Sequence, residues 1–136
     1  MKDNPWHIHE LRVRYQETDR MGVVYHANYL NWFEIGRTEW VRHKGIPYAE
    51  FEAKGLFLPV VDLAVSYHSP AYYDEIVTVH TRLAELSPLR LKFEVEIRRD
   101  ETLLASGWTK HAWIGSDFKP IRLDKAAPEW YELLSQ

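Results

Sequence analysis

The sequence predicts an α+β fold in which one long helix covers an antiparallel sheet. Three observations carry that expectation. Apolar side chains recur at three- and four-residue spacing over residues 29–43, whereas later segments alternate apolar and polar residues with a period of two. The last three of those segments are joined by connections of hairpin length, too short for the crossovers that parallel neighbours require. A chain of 136 residues with 46% hydrophobic side chains has material for one core and not for two.

The elements follow in order. Leu11, Val13 and Tyr15 alternate with Arg12, Arg14 and Gln16, which predicts a strand over residues 11–16. Residues 17–22 gather Thr18, Asp19 and Gly22 into a polar turn, and residues 23–28 lead from it into a helix with Asn28 as a candidate cap. In the helix over 29–43, Tyr29, Trp32, Phe33, Gly36, Trp40 and Val41 form the apolar face, and Asn31, Glu34, Arg37, Glu39 and Arg42 the polar one. Glycine inside an exposed helix costs roughly 0.5–1 kcal/mol relative to alanine. Gly36 therefore reads as a point where another element passes close by. Gly45 and Pro47 stop one helix and start a shorter one over 47–54, closed by Gly55. Val61, Leu63, Val65 and Tyr67 alternate as a second strand closed by Pro70, and residues 76–86 form a third. Residues 89–98 alternate most cleanly, a tight turn follows near 99–102, and residues 103–115 supply the fifth strand. Pro120 and Pro128 predict an irregular tail before a short segment at 129–134.

Composition excludes several classes of function. The chain has no cysteine, so it has no disulfide framework, cysteine nucleophile or thiolate metal site. Seventeen Lys and Arg against twenty Asp and Glu give a net charge of −3, which argues against a generally basic nucleic-acid surface. The polar residues 1–10 contain no apolar signal region, and no apolar run approaches about eighteen residues, so a cytoplasmic protein without membrane insertion is expected. His7, His9, His68, His80 and His111 form no compact ligand motif, and no metal is expected. There is no Gly-x-Ser-x-Gly elbow, phosphate loop or dinucleotide fingerprint.

One stretch carries chemistry. Residues 15–29 read Tyr15-Gln16-Glu17-Thr18-Asp19-Arg20-Met21-Gly22-Val23-Val24-Tyr25-His26-Ala27-Asn28-Tyr29. This resembles the hotdog-fold acyl-CoA thioesterases of the 4-hydroxybenzoyl-CoA thioesterase group. Thr18-Asp19, Gly22, His26 and Asn28-Tyr29 are most similar to the bacterial branch associated with the Tol-Pal operon. The resemblance implies a single hotdog domain over 1–136, with its core at about 8–118. In it, a five-stranded antiparallel sheet wraps a long central helix, and subunits join as a homodimer or a dimer of dimers. It implies hydrolysis of acyl-CoA thioesters to a carboxylic acid and free coenzyme A, which is then part of the substrate and not a retained cofactor. The aspartate matching Asp19 is the family's catalytic carboxylate, acting as nucleophile or general base. The amide at the position of His26 is its carbonyl-polarising donor.

Elementary chemistry fits those roles. A thioester is already activated, so its hydrolysis needs a carboxylate to attack it or to orient water, and donors aimed at the developing oxyanion. The free N–H groups of a helix start suit the second task. The competing roles are equally concrete. Asp19 alone reads as a turn residue, and the His26 imidazole as a loop brace. Thr18 and Asn28 cap the loop or touch substrate, and Tyr25 and Tyr29 line an acyl pocket or pack the core. Glu34 is a further carboxylate whose alternative is a surface ion pair. Two other functions use the same fold: a non-hydrolytic acyl-thioester binding protein, and an acyl-carrier-protein thioesterase.

Overall fold

A computed structural model describes residues 4–136; residues 1–3, part of the polar N-terminal stretch, lie outside the described residues. The strands are β1 (His7–Arg12), β2 (Val60–Tyr67), β3 (Ile76–Leu86), β4 (Arg90–Arg99) and β5 (Thr102–Ala112). They form one antiparallel sheet in the order β1-β3-β4-β5-β2. The helices are α1 (Asn28–His43), α2 (Tyr48–Ala53), α3 (Leu123–Ala126) and α4 (Pro128–Ser135).

Helix α1 lies across one face of the sheet, and its buried residues are the six the spacing selects: Tyr29, Trp32, Phe33, Gly36, Trp40 and Val41. Its N-terminal half packs with Val77, Val79, Val95 and Ile97 from the sheet. Its C-terminal half packs with Phe51, Leu83, Phe93 and Trp113. Gly36 is the crossing point, where an added Cβ would stand 2.6 Å from Val79 Cγ1 and collide with the Thr81 side chain. Removing these apolar faces from water stabilises the fold by about 1.5–3 kcal/mol per large side chain fully buried. Among the described residues no helix is long and apolar enough to cross a membrane.

Three segments depart from the sequence-based expectation. β1 runs earlier than 11–16, with half-buried His7, His9 and Leu11 alternating with exposed Ile8, Glu10 and Arg12. After Arg12 the Val13 backbone bonds to Glu75 and Asp74, at 2.9 and 3.0 Å, and residues Tyr15–Glu17 then turn into a 3-10 helix. The Glu17 carboxylate drives that turn by accepting the Arg14 N–H at 2.7 Å, a local bond that competes with the ladder. Asn28 is not the cap of α1 but its first residue; the cap position is Ala27, with no side-chain bond. The tail is not irregular beyond 123. α3 and α4 bring Leu123, Ala127, Trp130 and Leu134 onto Phe51 and Trp113, with Pro128 in the first turn of α4.

β2 is one of the two sheet edges and is largely exposed. Val61, Leu63 and Tyr67 are 50%, 41% and 48% exposed, while Val65 between them packs on the core, so among the described residues most of the alternation that marks the strand stays uncovered.

Candidate active site

The loop carrying Asp19 is a tight reversal. The Asp19 N–H donates to the Val23 carbonyl at 2.9 Å, and the Gly22 N–H returns to the Asp19 carbonyl at 3.0 Å. Gly22 has φ 81°, a left-handed conformation that an L side chain resists. Thr18 and Val24 bridge below the turn, and Val23 bridges to Tyr72. Asp19 is half-buried, and its Oδ1 accepts the Met21 N–H at 2.8 Å.

Glu17, which the sequence reading passed over, holds this loop to α1. Glu17 is 5% exposed, and its carboxylate accepts the Trp32 Nε1–H at 2.8 Å as well as the Arg14 N–H. Its carbonyl accepts the Tyr25 N–H at 2.9 Å and Asn28 Nδ2–H at 2.8 Å. One residue thus fixes both ends of the loop that displays Asp19. The signal in the sequence was the three-residue interval from Arg14 to Glu17, the spacing of a capping box.

At the other end of the loop, the Asn28 N–H donates to the Tyr25 carbonyl at 2.9 Å, which closes the first turn of α1. The His26 N–H has no protein acceptor among the described residues, and it stands at the positive end of a sixteen-residue helix. The His26 carbonyl accepts the Tyr67 hydroxyl at 2.8 Å. Beside it opens a cavity of about 300 Å³ lined by Val24, His26, Tyr29, Tyr67, His68, Ser69 and Pro70. Burial pushes the Tyr29 phenol above its ordinary pKa, against a hydrogen bond to the Ala71 backbone, and burial also raises Tyr67.

The predicted residues therefore separate. His26 and Tyr29 share the cavity; Asp19, Thr18, Tyr25 and Asn28 do not line it within one protomer. Thr18 donates its hydroxyl to the Tyr15 carbonyl at 2.7 Å, and Asn28 is spent on Glu17 and Asn31, so both brace the loop. Tyr25 is exposed, with its ring 4.5 Å from that of His26. Tyr29 is both core and lining, at 3% exposure with its ring edge on Trp32 and Tyr67. Glu34 is exposed on α1, away from this cavity's lining. Among the described residues, no group of three His, Asp or Glu side chains is gathered closely enough to hold a metal ion.

A five-stranded antiparallel sheet around one long helix, with a carboxylate loop feeding the helix start, defines the hotdog class of thioester enzymes. The family model for the Thioesterase-like superfamily matches residues 13–131. The chain belongs to that superfamily. It is 40% identical over 124 residues to the putative acyl-CoA thioesterase YneP of Bacillus subtilis (strain 168), spanning 90% of each chain. It is 33% identical over 117 residues to the acyl-CoA thioesterase YbgC of Haemophilus influenzae, spanning 85% of this chain and 86% of the relative. Among solved structures, a DHNA-CoA thioesterase from Staphylococcus aureus superposes with a TM-score of 0.92 at 42% identity, over 96% of this chain and 89% of the other.

Proposed function

We propose that this acyl-CoA thioesterase works through the Asp19 carboxylate and the His26 N–H. The observation that carries the reading is the unpartnered His26 N–H at the start of α1, beside a cavity and seven positions after a carboxylate displayed on a braced turn. Asp19 takes a proton from water as the oxygen adds to the thioester carbon, or adds to that carbon itself. The tetrahedral oxyanion is stabilised by the His26 N–H and by the helix end. Collapse breaks the C–S bond, and the departing sulfur takes up a proton as coenzyme A. In the second route an anhydride forms on Asp19, and water then opens it to the acid. No metal or retained cofactor enters either route.

The finer placement is the 4-hydroxybenzoyl-CoA thioesterase group, beside its Tol-Pal-associated branch, supported by Thr18-Asp19, Gly22, His26 and Asn28-Tyr29. We read the uncovered β2 edge as the seam of a homodimer, since a bare apolar edge strand is a template for pairing. Such a seam would bring a second copy against the cavity beside Tyr67, and two dimers would give a tetramer. The place of action is the cytoplasm.

The experiment is a hydrolysis screen over acetyl-, butyryl-, palmitoyl- and benzoyl-CoA with wild type and Asp19→Asn. Wild-type turnover that falls by about 10²–10⁴-fold in the variant is expected for a lost carboxylate acid/base. Unchanged turnover in the variant removes Asp19 from the mechanism. Label found in the Asp19 carboxylate after single turnover in ¹⁸O-water then establishes attack by Asp19, because general-base hydrolysis places the water oxygen only in the acid.

A further inference from the structure

We infer that Tyr67 is a positioning residue for hydrolysis, holding residue His26 from the side opposite its N–H through a hydroxyl-to-carbonyl hydrogen bond that reaches from the sheet edge to the start of α1. The inference rests on the proposed role of the His26 N–H.

His26 lies one residue before the cap position Ala27; the peptide that carries its N–H is held by the Asn28 N–H on the Tyr25 carbonyl at 2.9 Å, while its own carbonyl belongs to the next peptide and fixes the residue from the other side. Two donors reach its carbonyl. The Tyr29 N–H does so at 3.3 Å, a long bond, and the Tyr67 hydroxyl at 2.8 Å, near the optimum for an O–H donor. The shorter bond comes from 41 positions away in sequence and is the tertiary tether at this point. The Tyr67 ring is itself aimed, with its centroid 5.3 Å from Tyr29 and 6.3 Å from His26, both edge to face. Tyr29 is fixed in turn by its burial against Trp32. The hydroxyl is therefore delivered by a packed stack and not by a free side chain.

The consequence is directional. Rotating the residue that presents an oxyanion donor moves the donor off the line on which charge develops, while the ground-state substrate loses less. Loss of the Tyr67 hydroxyl should lower kcat and leave KM nearly unchanged. Tyr67 is the last residue of β2, so whatever pairs with that edge also acts on His26 through this one bond.

The test is Tyr67→Phe, which keeps the half-exposed ring and removes one oxygen, measured beside Asp19→Asn on whichever of butyryl- and benzoyl-CoA wild type hydrolyses faster. The expected result is a fall of about tenfold in kcat with KM within about twofold, since one lost hydrogen bond is worth roughly a factor of ten. The melting temperature should stay within about 3 °C. The carbonyl ¹³C resonance of His26 should shift, with the amide resonances of the β3–β4 core unmoved. A kcat within about twofold of wild type while Asp19→Asn is inactive overturns the inference and leaves the reaction assignment standing. A fall in kcat matched by lost melting temperature and widespread resonance changes overturns it too, because the role is then structural. An active Asp19→Asn instead defeats the assignment of the carboxylate, whatever Tyr67→Phe does.

Discussion

Mild acid should destabilise this protein through His111. The imidazole, carried by β5, is fully buried, with its ring edge on Phe93 of β4 at 5.6 Å. Its Nδ1–H donates to the Leu58 carbonyl at 3.1 Å, and its Nε2 accepts the Thr109 hydroxyl at 2.8 Å, the pattern of a neutral ring. Burial, opposed by the bond to Leu58 and helped by the nearby Arg37 charge, lowers its pKa from 6.5 to about 4. Between those values the unfolded chain binds a proton that the native protein refuses. Stability therefore falls as pH drops from 6.5 toward 4 and is independent of this group above that window. At 1.36 kcal/mol per pKa unit the full effect is about 3 kcal/mol, and about 2 kcal/mol of it is present by pH 5. That is a large share of the 5–15 kcal/mol by which domains are stable. The assay is urea unfolding at pH 7, 6, 5 and 4.5, at one protein concentration, for wild type and His111→Gln. Other titrating groups cancel in the difference, so wild type should lose about 2 kcal/mol relative to the variant between pH 7 and 5. A difference that stays constant, or that moves the other way, refutes the reasoning.

Two further substitutions test the supports of the site. Gly36→Ala should destabilise by about 1–2 kcal/mol, because crowding Val79 and Thr81 outweighs the helix propensity gained; a urea midpoint at or above wild type would show that α1 and β3 separate easily. Glu17→Ala should cost about 2–3 kcal/mol by leaving the buried Trp32 Nε1–H and the Arg14 N–H without an acceptor. Amide exchange should then quicken over residues 14–25, and unchanged exchange there would free Glu17 of its bracing role.

Legibility in the sequence followed whether the deciding interactions were periodic. Tyr29, Trp32, Phe33, Gly36, Trp40 and Val41 repeat on one face, and the helix and its buried side were readable from that alone. β4 was readable for the same reason, at a period of two, while β3 was less cleanly patterned and β5, which buries the adjacent Leu104 and Ala105, was placed by the turn before it. β1 was not, because the half-buried side of its ladder carries His7 and His9 while Ile8 faces out, and because Glu17 ends the extended run with a side-chain bond. In the tail, Leu123, Trp130 and Leu134 are too few and too broken by Pro128 to show a period, yet each is buried in the cluster that holds Phe51 of α2 and Trp113 just beyond β5. Within the candidate site, the motif marked Asp19 and His26, but the bonds that tie Glu17 to Trp32 and Tyr67 to His26 span 15 and 41 positions. No local pattern encodes such bonds.

The strand order has a consequence for how the chain is made. β2 is the second strand in sequence, yet its one partner strand among the described residues is β5, roughly 40–50 residues later, so on the ribosome it must wait unpaired while β3, β4 and β5 are synthesised. Through that interval Val60, Val61 and Leu63 form a bare apolar ribbon on a growing chain, the kind of segment that recruits holding chaperones or neighbouring nascent chains. Tyr67 ends this strand, so the positioning proposed for its bond to His26 depends on β2 docking onto the last strand of the sheet to be made.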